Sequence, residues 1–170
     1  TMQQASMSKA NDEEMLLQQP WQRERQIIAR LSSLNYRTGE IGSYLHNIAC
    51  GVSELIAVDW TVVTFCQEGF ETVLASSLEM SEDTPRVYAL HGTLIATVLQ
   101  IGRTLAVEDA VANPEYGKPA PGYRAYLGIP LQTTEGQVFG TVCSFHRQAR
   151  EFTKEEIQIV ELFAERAATA

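Results

Sequence analysis

The sequence predicts an α+β fold built on one antiparallel sheet, and two observations lead to this prediction. Segments whose apolar residues recur every three or four positions, as in amphipathic helices, alternate with β-branched and aromatic segments typical of strands. Two short turns, Glu68-Gly69 and Glu135-Gly136, each connect two strand segments as a hairpin would. We therefore expect about five to six strands, with the N- and C-terminal helices on one face of the sheet and loops over the other.

Length and composition place the chain among ordinary globular proteins. Its 170 residues are 45% hydrophobic and 20% charged, which fits one domain with helical extensions. The formal net charge of −8 and the lack of a basic run argue against nucleic-acid binding, and no apolar segment approaches the roughly 20 residues that span a membrane. Three widely spaced cysteines without a CxxC pair predict reduced thiols and a cytoplasmic location.

The N-terminal part of the chain divides into three predicted segments. Residues 1–14 are polar, so we expect them to be disordered or tag-derived. Residues 15–34 carry an interrupted apolar stripe and form the first predicted helix. Thr38 can cap a second helix over about 39–57, which has the strongest periodic pattern in the chain. Its apolar positions are Ile41, Tyr44, Leu45, Ile48, Val52, Leu55 and Ile56.

The middle of the chain contains most of the predicted strands. A short helix begins at Thr93 and ends at Gly102, because glycine accepts the left-handed conformation that terminates helices. Residues 108–124 are rich in Pro and Gly and are predicted to form a long loop, which in a compact domain is often functional. The predicted strands are 60–66, 70–76, 86–90, 104–107, 125–132 and 137–146.

The C-terminal helix has a well-defined start and two apolar sides. Thr153 and Glu156 form a predicted capping box, which is preceded by Phe152 at the staple position. A helix that is apolar on two sides needs two partners, so we expect the protomer's own core on one side and a second subunit on the other. One of the two sides consists of Ile157, Val160, Ala164 and Ala167, and the other consists of Ile159, Leu162 and Phe163; the pattern does not assign either side to either partner.

Three motifs follow one another in the second half of the chain. The first runs from His91 to Ile95 and continues at 102–109 as Gly-Arg-Thr-Leu-Ala-Val-Glu-Asp. The second is Tyr-Leu-Gly-Ile-Pro-Leu at 126–131, and the third runs from Gly136 to Cys143 and ends with Phe-Thr at 152–153. Together they resemble GAF domains, most of all those of cyanobacterial sensor histidine kinases. We assign residues 35–170 to such a domain and 15–34 to an N-terminal dimerisation and signalling helix.

The resemblance carries expectations about architecture and role. It implies a ligand pocket between the sheet and a layer of helix and loop, on the face opposite the terminal helices. It also implies a homodimer through the terminal helices and a downstream kinase or effector domain in a two-component signalling protein. A regulatory domain of this kind is not itself an enzyme.

The sequence departs from the GAF subtypes that have a known cofactor or activity. Bilin-binding GAF domains carry a Cys, usually followed by His, before the penultimate strand, and residues 118–126 contain neither, which predicts no covalent bilin. The dispersed Asn, Lys, Phe, Asp and Glu signature of cyclic-nucleotide GAF domains cannot be assembled. GAF-type methionine sulfoxide reductases need cysteines near the central helix and loop, and none lies between Cys66 and Cys143.

Five residues are candidates for the pocket: His91, which is beside the glycine that opens the short helix, and Asp109, Tyr116, Tyr123 and Tyr126, which lie on or beside the long loop. Tyrosine offers stacking area and one polar group, which suits a planar ligand, and His91 could hydrogen-bond a ligand or bind haem iron. In the alternative interpretation the tyrosines seal the sheet from water, Asp109 caps a turn and His91 helps the entry into the helix. Trp60 begins a central strand and is expected in the core.

Cysteine and histidine residues are candidates for a redox or metal site. His46 and Cys50 are four residues apart and share one face of a helix. Cys66 and Cys143 lie in strands that we expect to be neighbours, where two thiols could ligate an iron–sulfur cluster or form a redox switch. The alternative is that all four are packing or surface residues, since cysteine often serves as a small buried filler.

The leading hypothesis is a sensory module in which a ligand or partner biases the packing of the first and last helices across a homodimer. One alternative is a dimerisation scaffold with a GAF fold and no ligand. The other is a redox, haem or metal-cluster sensor that uses the cysteines and histidines. The dimerisation candidates are Trp21, Ile28, Leu31, Val160, Phe163 and Ala167.

Overall fold

The computed structural model describes residues 40–169. The helices in this part are α1 (Glu40–Ile56), α2 (Leu94–Ile101) and α3 (Lys154–Ala168), with a 3₁₀ turn at Pro114–Tyr116. The strands are β1 (Trp60–Gln67), β2 (Phe70–Ser76), β3 (Val87–Ala89), β4 (Leu105–Val107), β5 (Ala125–Gln132) and β6 (Val138–His146). The predictions for residues 1–39 lie outside the described residues. They include the first helix, the cap at Thr38 and the dimerisation candidates Trp21, Ile28 and Leu31.

The six strands form one sheet in the order β3-β2-β1-β6-β5-β4, and all neighbours are antiparallel. The predicted hairpin turns connect β1 to β2 and β5 to β6. Pairing of β1 with β6 joins the two halves of the chain and places Val62 opposite Cys143. The predictions of an α+β fold and of an antiparallel sheet with five to six strands are thus confirmed.

α1 and α3 cover one face of the sheet. Ile48 and Val52 of α1 point into this core because their spacing places them on the same side of the helix. Val160 of α3 lies in the same core, which also contains the inward residues Val63 and Val142 of the two central strands. α2 and the loops cover the opposite face, where a second apolar core forms.

Two of the dimerisation candidates on α3 belong to the protomer's own core. Val160 is 0% exposed and Ala167 is 4% exposed, so neither is available to a second subunit. Phe163 is half-buried against α1, where a Cβ at Gly51 would lie 3.4 Å from its ring. The large apolar residue of α3 that stays exposed is Leu162, with an exposed fraction of 57%.

Hydrogen bonds at the start of α3 fix it to the end of α1. The predicted capping box between Thr153 and Glu156 is present. Arg150 donates from Nη1 to the carbonyl oxygen of Ile56 at 2.7 Å, pairs through Nη2 with the Glu156 carboxylate, and lies 4.6 Å from the centre of the Phe152 ring. α3 therefore starts where α1 ends, and the two helices run antiparallel.

α2 has the two ends that the sequence predicts. The Thr93 side chain accepts a hydrogen bond from the Ala96 amide, and Gly102 ends the helix in the left-handed conformation. Within residues 40–169, no helix is long and apolar enough to cross a membrane.

Candidate ligand pocket

A cavity of about 520 Å³ lies between the sheet and the layer formed by α2 and the loops. Strands β1 and β2 supply Val62 and Val73 to its floor. Its roof consists of Thr93 and Ile95 at the start of α2, the β2–β3 connection, and the loop at 118–121. The lining is mostly apolar, and the volume lies in the range of small-molecule pockets.

Three aromatic side chains form one end of the cavity. Trp60 stacks on Phe145 with ring centres 5.0 Å apart, and its ring centre lies 5.5 Å from that of Tyr123. Arg147 lies 4.8 Å from the centre of the Tyr123 ring. Because these rings pack on one another, they present fixed apolar surfaces to a flat ligand.

The end of β2 holds the Trp60 indole in place. Nε1 of Trp60 donates to Oγ of Ser76 at 2.8 Å, and Oγ of Ser76 donates to the carbonyl oxygen of Leu78 at 2.7 Å. Leu78 belongs to the β2–β3 connection that lines the cavity. One hydroxyl group therefore positions both the aromatic end and part of the roof.

A second group of hydroxyls connects the same strand ends to α1. Oγ of Ser53 in α1 donates to Oγ1 of Thr61 at 2.8 Å and lies 3.2 Å from Oγ of Ser77. Thr61 directly follows Trp60 in the chain, and Ser77 directly follows Ser76. In both strands, a residue at the aromatic end of the cavity is therefore followed directly in the chain by a residue that hydrogen-bonds to α1.

A carboxyl group lines the cavity far from the aromatic end. Glu71 of β2 is opposite Cys66 in the register, six residues along β1 from Trp60, and has an exposed fraction of 7%. Burial raises the pKa of its carboxyl group from 4.5 to about 7. Within residues 40–169 this carboxyl group makes no hydrogen bond and no ion pair.

A row of buried polar side chains crosses the two central strands and β5 on the cavity side. Tyr126 Oη lies 2.9 Å from Cys143 Sγ, which lies 3.1 Å from Thr141 Oγ1. Thr141 Oγ1 lies 2.7 Å from Thr64 Oγ1, which lies 3.6 Å from Cys66 Sγ. Burial raises the pKa values of the Tyr126 phenol and the Cys143 thiol far above their ordinary values, so both groups are neutral.

Comparison with known families identifies the fold. The model of the GAF domain matches residues 40–170. The chain belongs to the GAF domain family. No curated protein sequence matches the chain.

Solved structures of GAF domains resemble this one over most of its length. A type II free methionine-R-sulfoxide reductase from Thermoplasma acidophilum has a TM-score of 0.66 and 17% identity, over 77% of this chain and 92% of its own. The GAF domain of an Acinetobacter phosphoenolpyruvate-protein phosphotransferase has a TM-score of 0.67 and 16% identity, over 83% of this chain and 87% of its own. The blue-light absorbing form of the Thermosynechococcus elongatus PixJ GAF domain has a TM-score of 0.58 and 18% identity, over 81% of this chain and 86% of its own. The TM-scores show that these structures share the fold of this chain, and at identities this low the likeness concerns the fold alone.

Of the five pocket candidates, Tyr123 lines the cavity of this GAF domain, and the other four lie outside its lining. Tyr126 is 0% exposed and lies beneath Phe145, with ring centres 5.2 Å apart. His91 and Tyr116 are exposed, and the Tyr116 carbonyl oxygen accepts a hydrogen bond from Thr97.

Asp109, the remaining candidate, organises the long loop. Its Oδ1 accepts from the amides of Val111 and Ala112 at 3.1 and 3.2 Å, and both carboxylate oxygens accept from Arg124 at 3.1 and 2.9 Å. The hydrogen bonds from Arg124 are the main cause of a lowered pKa at Asp109. Asp109 therefore caps a turn, as in the alternative interpretation of the sequence.

The histidine and cysteine candidates are divided between two faces of the sheet. His46 and Cys50 do share one side of α1, with Nε2 and Sγ 3.4 Å apart, and Nδ1 of His46 lies 3.1 Å from the carbonyl oxygen of Ser76. This side of α1 faces the end of β2, where the imidazole of His46 hydrogen-bonds to the backbone. Cys66 and Cys143 lie on the opposite face of the sheet.

Cys66 and Cys143 are in neighbouring strands but not next to each other. Cys143 is opposite Val62, four residues from Cys66, which corresponds to about 13 Å along β1. This separation exceeds the Cα distance that a disulfide spans. In the described part of the chain, no three His, Cys, Asp or Glu side chains form a group that could hold a metal ion.

Two residues that line the cavity are not among the pocket candidates predicted from the sequence. Trp60 was expected in the core, but β1 alternates between the faces of the sheet, and Trp60 shares the cavity side with Val62. Glu71 likewise shares its side of β2 with Val73. A glutamate on the inward side of a strand is an unusual pattern, and it was the signal that could have indicated this carboxyl group.

Proposed function

We propose that this GAF domain is the sensory and regulatory module of a two-component signalling protein, and that its ligand is a small molecule bound in the cavity beside Trp60. The observation that carries the proposal is the cavity itself, which has a preformed aromatic end and a mostly apolar lining. The GAF neighbours from the phosphotransferase and PixJ support a role in regulation.

The signal would leave the cavity through the strand ends that hold Trp60. A ligand that shifts Trp60 or its partner Ser76 also shifts their chain neighbours Thr61 and Ser77. Those two residues hold Ser53 of α1 by hydrogen bonds. Ligand binding would thereby favour one packing of α1 over another, which is the population shift that a sensor needs.

The output would be a change in a homodimer formed by the outer sides of α1 and α3 together with the predicted N-terminal helix. Leu55 on α1 and Leu162 on α3 are 59% and 57% exposed, and both helices lie on the face opposite the cavity. We infer that α3 passes the change to a histidine kinase or another effector domain of the parent protein in the cytoplasm. In this scheme the domain itself performs no chemistry.

The proposal can be tested by filling the cavity. Ala120 lines it, whereas Ala112 lies on the same loop and is exposed outside the lining. A metabolite library is screened by thermal shift against the wild-type chain, Ala120→Trp and Ala112→Trp, after circular dichroism has shown that all three are folded. We expect at least one compound to stabilise the wild type and Ala112→Trp but not Ala120→Trp.

The same screen separates the sensor from a scaffold without a ligand. If no compound stabilises the wild type, or if every hit stabilises Ala120→Trp equally, the cavity is not the sensory site. The ligand-free dimerisation module would then be the better account of the fold.

A further inference from the structure

The cavity contains one group whose chemistry its surroundings do not satisfy. The Glu71 carboxyl group is 7% exposed and has no hydrogen bond or ion pair within residues 40–169. Buried polar side chains in folded proteins nearly always have a partner, and an unpaired buried charge is costly. A group that enters the cavity can supply that partner.

The other charged residues of the cavity lining do not neutralise Glu71. Lys118 in the loop and Glu79 in the β2–β3 connection both line the cavity and are exposed, and neither pairs with the Glu71 carboxyl group. The lining therefore carries two carboxyl groups and one ammonium group. This balance disfavours phosphates and other anions and favours a cation.

The floor of the cavity between Glu71 and the aromatic end is apolar. Val62 and Val73 form the floor of the cavity, and Trp60 lies towards its other end. A ligand that satisfies both regions has one cationic N–H group and an apolar or aromatic body.

We propose that the cavity binds an organic amine, an amidine or a protonated nitrogen heterocycle, whose N–H group donates to the Glu71 carboxylate and whose apolar body packs on Val62 and Val73 towards Trp60. This inference rests on the proposed sensory function and specifies its ligand class. A neutral ligand can hydrogen-bond the carboxyl group but leaves the charge of its ionised form unbalanced, and an anion would meet that form with the same charge.

Binding of such a cation is coupled to a proton. Because burial raises the pKa of Glu71 to about 7, the empty cavity holds its carboxyl group largely protonated at pH 6, and a bound cation requires the ionised form. The other ionisable groups facing this site are Tyr88 on β3, Glu79, Lys118, and Cys66, Cys143 and Tyr126 on the sheet. We expect affinity for the cation to rise about tenfold from pH 6 to pH 8, with release of a proton.

The test compares compounds that differ only in the cationic group. Tryptamine, 2-phenylethylamine and benzamidine are titrated by calorimetry into the full chain, each beside its uncharged counterpart, which is tryptophol, 2-phenylethanol or benzamide. We expect at least one cation to bind the wild type about tenfold or more tightly than its counterpart, because hydrogen bonds to a desolvated charge are strong.

Two glutamine variants provide the matched comparison. Glu71→Gln keeps the shape of the side chain and removes the charge, and it should abolish both the preference for the cation and the pH dependence. Glu79→Gln removes an exposed carboxyl group of the same cavity and should keep both. Melting curves of the two variants establish that each is folded.

Three results would overturn the proposal. The neutral counterparts could bind as tightly as the cations, Glu71→Gln could bind the cations like the wild type, or none of the six compounds could bind. In each case the thermal-shift comparison of Ala120→Trp with Ala112→Trp decides separately whether the cavity is the sensory site. The ligand class can therefore be wrong while the sensory function stands.

Discussion

Glu71 shows how one residue can be held in an environment that its charged form disfavours. The strands around it are stabilised by their own apolar residues, so the fold tolerates a buried carboxyl group that contributes nothing to the core. Groups with strongly shifted pKa values cluster at functional sites, where a ligand can pair with them. Without a ligand, the unfavourable burial of the ionised carboxyl group lowers the stability of the folded protein.

We predict that the stability of the wild-type chain falls as the pH rises through the window from 4.5 to 7. The pKa of the Glu71 carboxyl group is raised by burial to about 7, so in this window the folded state holds a proton that the unfolded state has released. From pH 5 to pH 8 this one group should cost about 2 kcal/mol of unfolding free energy. Glu71→Gln should remove that loss, as measured by urea unfolding at a series of pH values.

Glu79→Gln is the control for this titration, because Glu79 is exposed. Asp109 and Glu156 have lowered pKa values, so their contributions are present above the ordinary pKa of a carboxyl group and are lost as the pH falls below it. Their effect therefore lies on the acid side of the window for Glu71. Equal slopes for the wild type and Glu71→Gln between pH 5 and pH 8 would contradict the prediction.

The pair Tyr126 and Gly128 shows what a motif conveys and what it leaves out. The two residues are neighbours on one side of β5, and a Cβ at Gly128 would overlap the Tyr126 ring. Both residues belong to the motif at 126–131 that resembles GAF domains, and from that motif Tyr126 is predicted at the pocket. The motif does not indicate that the ring lies along the strand and reaches Cys143, because that contact joins residues 17 positions apart.

At the scale of secondary structure, Arg150 connects α1 to α3. One guanidinium group donates to the last carbonyl of α1, pairs with Glu156 in the first turn of α3 and covers the Phe152 ring. The capping box of α3 was predictable because its partners are three residues apart. The bond to Ile56 was not, since 94 residues separate the donor from the acceptor.

We expect Arg150→Ala to lower the unfolding free energy by about 2 kcal/mol, because it removes two charge-assisted contacts and leaves the Ile56 carbonyl without this donor. Arg103→Ala is the matched control. Arg103 is an exposed arginine after α2, so its loss should change stability by no more than about 0.5 kcal/mol. Urea unfolding measures both variants, and equal effects would show that Arg150 does not fasten α3 to α1.

On the scale of the whole domain, the sheet separates the cavity from the terminal helices. The order of elements predicted this architecture because helices, strands and hairpin turns follow from local patterns. Periodicity also predicts two apolar sides on α3. Val160 and Ala167 lie on one of these sides and are among the residues predicted at the subunit interface. Their burial within the protomer shows that a stripe alone does not say which neighbour covers it.

The apolar side of α3 that contains Leu162 provides a direct test of the proposed homodimer. Leu162 is exposed within the protomer, and Leu55 on the antiparallel α1 is equally exposed, so both can be covered only by something outside residues 40–169 of the same protomer. A glutamate buried in that contact would be desolvated without a partner. We therefore expect the full chain to sediment as a dimer and Leu162→Glu to weaken dimerisation about 30-fold or more, a cost of about 2 kcal/mol.

Val111→Glu places the same charge at an exposed apolar residue of the long loop, on the cavity side, and should leave the dimer intact. A monomeric wild type would contradict the homodimer, whereas an unchanged Leu162→Glu dimer would exclude this side of α3 and leave the predicted helix at 15–34 as the interface.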